Sequence, residues 1–188
     1  MKVAAIQMVS SLQVGTNLQS ADALIQEAAS QGAELVALPE YFCLLGQRDT
    51  DKLAVQEQEG TGPIQQFLAD AAKRHGVWLV GGTLPLSSGQ ATKVCNTCLV
   101  FNPQGKQVAR YDKIHLFAFD NGTEHYDESR VLEPGNAPVC FSLPSVDGHT
   151  WRVGLSVCYD LRFAALYQAL QADVLLVPSA FTHTTGQA

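Results

Sequence analysis

Apolar positions along the chain recur with a period near two in some stretches and near 3.6 in others. Val3-Ala4-Ala5-Ile6-Gln7-Met8 reads as a first strand. Thr16 is suited to cap a helix whose Leu18, Ala21, Ile25, Ala28 and Ala29 share one face, with Gly32 as its stop. Residues 34–38 form a short, nearly continuous apolar run ended by Pro39, the pattern of a strand covered on both faces. A polar stretch runs to Gly62. Pro63 then opens a second helix that places Ile64, Phe67, Leu68, Ala71 and His75 on one stripe, closed by Gly76 before a strand over 77–80. Strands over 92–101 and 106–111 flank Asn102-Pro103-Gln104-Gly105, whose Pro and Gly suit a hairpin turn. Residues 112–138 show no clear period, and so long an irregular stretch in a compact domain is usually functional. A strand over 151–157, a third helix marked by Phe163, Leu166, Tyr167 and Leu170, and a strand over 173–177 complete the pattern. Helices and strands interleave without repeats or a linker. The expectation is one α/β domain over 1–188, its parallel or mixed sheet covered by helices.

Composition narrows the class. With 46% hydrophobic and 16% charged residues, the chain can bury a core without disulfides or a structural metal. A formal charge of −6 argues against a nucleic-acid partner, which calls for a basic field. No apolar run approaches the ~18 residues of a membrane span, and the apolar start is broken at Gln7, too early for a secretory segment. A cytoplasmic protein with no membrane partner is expected. The five cysteines, an odd number without scaffold-like spacing, fit a reduced compartment. Cys95 and Cys98 lie three apart on an expected strand, hence on opposite faces, and no second pair completes a metal site.

Candidate chemistry sits at three strand ends. Glu40 follows Leu38-Pro39, and taken alone it reads as a solvated loop carboxylate. Lys113 follows a strand among apolar and aromatic residues, and taken alone it reads as a surface lysine laid over Phe117. Cys158 stands where a strand runs directly into a helix, a turn that lifts a side chain clear of the sheet and whose N–H groups lower a thiol's pKa. A buried core cysteine is the alternative. An acid, a lysine and a thiol can together hydrolyse a C–N bond, with the acid as general base, the thiol as nucleophile and the cation beside the oxyanion.

These pieces, in order, resemble the nitrilase (carbon–nitrogen hydrolase) superfamily. The resemblance is carried by Ala4-Ala5-Ile6-Gln7, Leu38-Pro39-Glu40, Tyr111-Asp112-Lys113-Ile114-His115-Leu116-Phe117, Glu128-Ser129-Arg130 before Pro134-Gly135, and the run from Gly154 through Cys158-Tyr159-Asp160-Leu161-Arg162-Phe163. It implies a Glu40–Lys113–Cys158 triad and a further active-site glutamate at Glu128 that orients the lysine and the substrate. It also implies an α-β-β-α sandwich, usually homo-oligomeric, that hydrolyses a small amide with no metal or organic cofactor. Cys158 to Phe163, and Pro178-Ser179-Ala180-Phe181-Thr182 with Thr185-Gly186, look most like the branch of Nit-type ω-amidases and deaminated-glutathione amidases. Tyr159, Arg162, Phe181 and Thr182 are then the substrate contacts, with a surface-paired Arg162 and a core-facing Phe163 as the alternatives. Family members continue past the Thr-Gly with another helix and several strands. The resemblance therefore implies a C-terminally truncated homologue with exposed edges and apolar patches, and its alternative is a fragment without activity.

Other hydrolase patterns fit less well. A Cys–His pair would draw on His115, His149 or His183, none of which the sequence singles out. Gly154-x-Ser156 fails as a serine elbow because Cys158 replaces the final glycine. Gly60-Thr61-Gly62 lacks the P-loop lysine and dinucleotide spacing.

Overall fold

A computed structural model describes residues 1–120, 122–123 and 125–181. Strands β1 (Val3–Ala5), β2 (Leu35–Ala37) and β3 (Trp78–Val80) run parallel. Their crossovers are α1 (Val14–Ser30), then α2 (Asp51–Ala54) and α3 (Pro63–His75). β3 and β4 (Leu84–Ser87) follow one another along one edge of β5 (Val94–Phe101), both antiparallel to it, and β6 (Gln107–Asp112) takes the other edge. β7 (Ala118–Asp120) and β8 (His125–Asp127) form a separate hairpin. The second sheet centres on β10 (Thr150–Leu155), antiparallel to β9 (Val139–Pro144) and parallel to β11 (Val174–Leu176).

Strand alternation sorts side chains into two cores. On one face of the first sheet, Val36, Leu79 and Leu99 meet Ile25 of α1 and Ile64 and Leu68 of α3. On the other, Leu35, Val80, Val100 and Tyr111 meet Phe141, Leu143, Val153 and Leu155 of the second sheet. Each such buried aliphatic contributes about 2 kcal/mol. α4 (Ala164–Leu170) backs the second sheet, with Leu170 lying against Gly154 and its carbonyl accepting from the Cys140 thiol. The layering is the expected α-β-β-α. Val3 is in register with buried Leu35 yet 43% exposed, because three strands face six and leave β1 uncovered. Leu175 on edge strand β11 is also exposed.

Several sequence expectations are corrected. β1 ends at Ala5, and only Ile6 N–H continues the ladder, donating to Ala37. α1 starts at Val14, so Thr16 lies inside it. Its entry is tied instead by Asn17, whose side chain accepts from Ser11 and donates to the Ser11 and Cys43 carbonyls. The polar stretch before Gly62 contains α2 and the buried Glu57. That carboxylate accepts from the first N–H groups of α3, at 2.6 Å from Ile64 and 3.1 Å from Gln65. β4 and β9 were not anticipated, and the irregular 112–138 stretch holds the β7–β8 hairpin and a 3-10 turn, Glu128–Arg130. After Cys158 the chain makes a 3-10 turn, Cys158–Arg162, before α4 begins. Cys98 lies in the inter-sheet core, while Cys95 has the opposite parity on β5, as the strand reading requires. Burial raises both thiols, that of Cys98 to about 12.

Candidate active site

The candidate residues arrive from strand ends of both sheets. Glu40 follows β2, where Tyr41 turns sharply at φ 56° and donates its N–H to the Thr83 hydroxyl. Gly82, at φ 50°, lets the neighbouring chain pass close, since a Cβ there would sit 2.0 Å from the Pro39 carbonyl oxygen. Lys113 directly follows β6 and shares the inward parity of Tyr111, and its N–H extends the ladder to Asn96. Gly135 packs just as closely on Asp112, whose carbonyl oxygen would lie 2.1 Å from an added Cβ. Cys158 comes from the second sheet. The β10–β11 pairing runs on through Ser156 N–H to Leu176 and Cys158 N–H to Pro178, and Cys158 then takes the left-handed φ of 48°. A non-glycine residue held there stores of order 1 kcal/mol of strain.

These three side chains and Glu128 form one cluster. Lys113 Nζ lies 3.2 Å from Glu40 Oε1 and 2.8 Å from Glu128 Oε2, and it is almost wholly buried. Cys158 lines the same pocket as Glu40, Lys113 and Glu128, and its thiol feels the charges of Glu40 and Lys113. Glu40 Oε1 also accepts from the Asn96 amide at 3.0 Å, and Oε2 from the Ala180 N–H at 2.9 Å. Glu128 accepts from the Tyr41 hydroxyl at 3.1 Å and the Phe117 N–H at 2.7 Å. Neither bland single-residue reading survives: Glu40 is not a solvated loop acid, and Lys113 is not a surface lysine.

Burial, with the Glu128 charge behind it, pushes the Glu40 carboxyl above its usual range against the pull of Lys113. Lys113 is desolvated too, but Glu40 and Glu128 outweigh that and hold it above an ordinary lysine. The thiol goes the opposite way from the sequence expectation. Burial first, and the Glu40 charge second, raise Cys158 to about 12, so the neutral thiol is the resting form. The short 3-10 turn does not offset the loss of water.

An open cleft of about 270 Å³ leads to this cluster and meets it at the half-buried Cys158. Its wall includes Tyr159, Arg162 and Phe181 of the expected substrate contacts, and Thr182 lies outside the described residues, as do Thr185, Gly186 and His183. Arg162 is exposed toward the cleft. Phe163 is half-buried, stacked flat on His115 at 3.6 Å, rather than sunk in the core. His115 Nδ1 faces Asp160 at 2.7 Å, and His149 packs on Trp151, so neither is paired with the thiol. Among the described residues no group of three or more His, Cys, Asp or Glu is placed to hold a metal ion. None of the described helices is long and apolar enough to cross a membrane.

Sequence reasoning missed Asn96, Tyr41 and the Ala180 N–H. Asn96 sits between the two cysteines weighed as a metal pair. A polar residue among otherwise apolar inward positions of its strand was the available signal.

The model for the carbon-nitrogen hydrolase family matches residues 2–187. The chain is 40% identical over 190 residues to a deaminated glutathione amidase from Synechocystis sp., covering 98% of this chain and 68% of that protein. It is 38% identical over 191 residues to Omega-amidase NIT2 of Homo sapiens, covering 100% of this chain and 66% of the relative. Among solved structures, Saccharomyces cerevisiae Nit3, a member of branch 10 of the nitrilase superfamily, superposes with a TM-score of 0.83 at 30% identity, over 100% of this chain and 67% of that one. The chain thus spans about two thirds of the length of the relatives it matches. With this match over nearly its whole length, the chain belongs to the carbon–nitrogen hydrolase family.

Proposed function

We propose that this chain hydrolyses the terminal C–N bond of a small, acid-bearing amide, of the keto-acid amide or deaminated glutathione type, through a thioester on Cys158. The observation that carries the reading is the convergence of one thiol, one ammonium and two carboxylates on a solvent-open cleft. The substrate class follows the relatives' names, a deaminated glutathione amidase and an omega-amidase.

The neutral resting thiol makes proton transfer part of the attack. As Cys158 Sγ bonds to the amide carbon, its proton passes to Glu40 and the carbonyl electron pair moves onto oxygen beside the Lys113 ammonium. Collapse of the adduct breaks the C–N bond, and Glu40 returns the proton to the departing nitrogen, which leaves as ammonia from a primary keto-acid amide or as the dipeptide's amine from deaminated glutathione. Water, deprotonated by Glu40, then adds to the thioester. The C–S bond breaks, the acid leaves and the sulfur regains its proton. Glu128 holds the lysine in place from the opposite side. Tyr159, Arg162 and Phe181, with Thr182, contact the acyl portion.

Purified protein is tested for ammonia release from α-ketoglutaramate and for release of the dipeptide's free amine from deaminated glutathione, with intact-mass detection of the acyl-enzyme. A thioester on Cys158 that is absent from Cys158→Ala supports the reading. Glu40→Gln and Lys113→Ala are each expected to lower turnover about 10²-fold or more with an unchanged far-ultraviolet spectrum. Turnover retained in either variant refutes its assigned role. No ammonia, no free dipeptide and no adduct across the panel would favour the inactive-fragment reading.

A further inference from the structure

Asp160 makes no direct contact with the thiol, the lysine or either glutamate of the cluster among its hydrogen bonds, yet it is fully buried and its oxygens are fully used. One oxygen accepts from His115 N–H at 2.9 Å and from His115 Nδ1–H at 2.7 Å. The other accepts from the Tyr111 hydroxyl at 2.6 Å and from Val157 N–H at 2.9 Å. A buried carboxylate is tolerated only when its lone pairs are satisfied, but that requirement does not choose the donors. These donors share a location: Tyr111 and His115 stand two residues to either side of Lys113, and Val157 directly precedes Cys158. The His115 ring is locked in turn by its flat stack on Phe163, 7° from parallel, just beyond the turn that starts at Cys158. One carboxylate therefore joins the lysine segment of the first sheet to the thiol turn of the second.

We propose that the Asp160–His115 pair is a positioning device that fixes the separation of Lys113 and Cys158. This rests on the amidase reading above for its chemical purpose, though not for its geometry. Asp160 is too deeply buried for a clean first variant, so the half-exposed partner is the better probe. His115→Phe keeps a ring to stack on Phe163 but removes the donor. His115→Asn keeps a donor near the place of Nδ1 but removes the ring.

Two rates are compared in the parent and both variants: ammonia release, and alkylation of Cys158 by iodoacetamide followed by peptide mass spectrometry. His115→Phe is expected to lose about 10- to 100-fold in both rates, more in kcat than in KM, for a displacement of an ångström or less. His115→Asn is expected to recover most of that loss. Parent-like rates in His115→Phe, or an Asn variant as slow as the Phe variant, would assign His115 to packing and overturn the proposal. If His115→Phe does not keep the parent's far-ultraviolet spectrum, Tyr111→Phe removes the donor on the other side of Lys113. Slower alkylation there supports the proposal, and a parent-like rate overturns it. A parent that is alkylated but hydrolyses neither α-ketoglutaramate nor deaminated glutathione refutes the amidase reading, while the order of the alkylation rates still decides the positioning claim.

Discussion

Glu40, Lys113 and Cys158 lose water together, and that loss acts differently on each. A carboxyl and a thiol are both pushed toward neutrality, whereas the ammonium is held charged by two acidic neighbours. The proposed reaction needs Glu40 as a carboxylate, so the rate falls as pH falls through the Glu40 value. Since burial has raised that value, the acid limb of kcat/KM is expected above the ~4.3 of an ordinary glutamate. Glu128→Gln removes a charge that helps raise Glu40, so in the residual activity of that variant the limb moves to lower pH. A pH–rate profile with its limb at or below the ordinary value, or unmoved by the substitution, contradicts this assignment. At this scale the sequence was informative about residue type and poor about environment. The glutamate, lysine and cysteine could be singled out, but the upward displacement of the thiol depends on packing that no local spacing records. Asn96 escaped notice for the same reason: its purpose is visible only once Glu40, fifty-six residues earlier, lies 3.0 Å away.

The strand ends that carry these residues are held by close backbone contacts as well as by side-chain burial. Gly82→Ala would drive a Cβ to 2.0 Å from the Pro39 carbonyl oxygen and strain a positive φ, whereas Gly89→Ala, also at positive φ, meets nothing within 4 Å. Denaturant titration is expected to show Gly82→Ala less stable than the parent by about 3 kcal/mol or more and Gly89→Ala by about 1 kcal/mol. Equal losses would mean that strain rather than the collision sets the outcome. Long periodic elements such as α3 were legible to within a residue or so because Pro63 and Gly76 bracket an unbroken apolar stripe. β4 was not legible: Leu84-Pro85-Leu86-Ser87 is short and contains a proline, which is ordinarily kept out of an interior strand. β9 did alternate, but the preceding irregular stretch masked its start. α1 begins three residues before the position that a Thr16 cap implies, because its N-terminus is tied by Asn17, whose partners lie outside the helix.

Taken whole, the molecule presents a wide sheet to a narrow one. Among the described residues β1 pairs with β2 alone and β11 with β10 alone, and each edge carries an exposed aliphatic, Val3 and Leu175. Free edges of that kind invite association. Light scattering is expected to show concentration-dependent self-association that Val3→Lys with Leu175→Lys reduces without lowering the melting temperature by more than a few degrees. Association unaffected by both lysines would place the sticky surface elsewhere. The α-β-β-α order was legible through resemblance. The mismatch in sheet width was not readable from spacing, since it depends on which strands find partners. One arrangement has a further outcome: the Cys158 sulfur is delivered by the narrow sheet, the Glu40 carboxylate and the Lys113 ammonium by the wide one. Reactivity is then a gauge of how firmly the two slabs are clamped together. Under gentle denaturant or pressure, iodoacetamide labelling and turnover should change before the circular dichroism does, reporting a slip between layers while each layer is still intact.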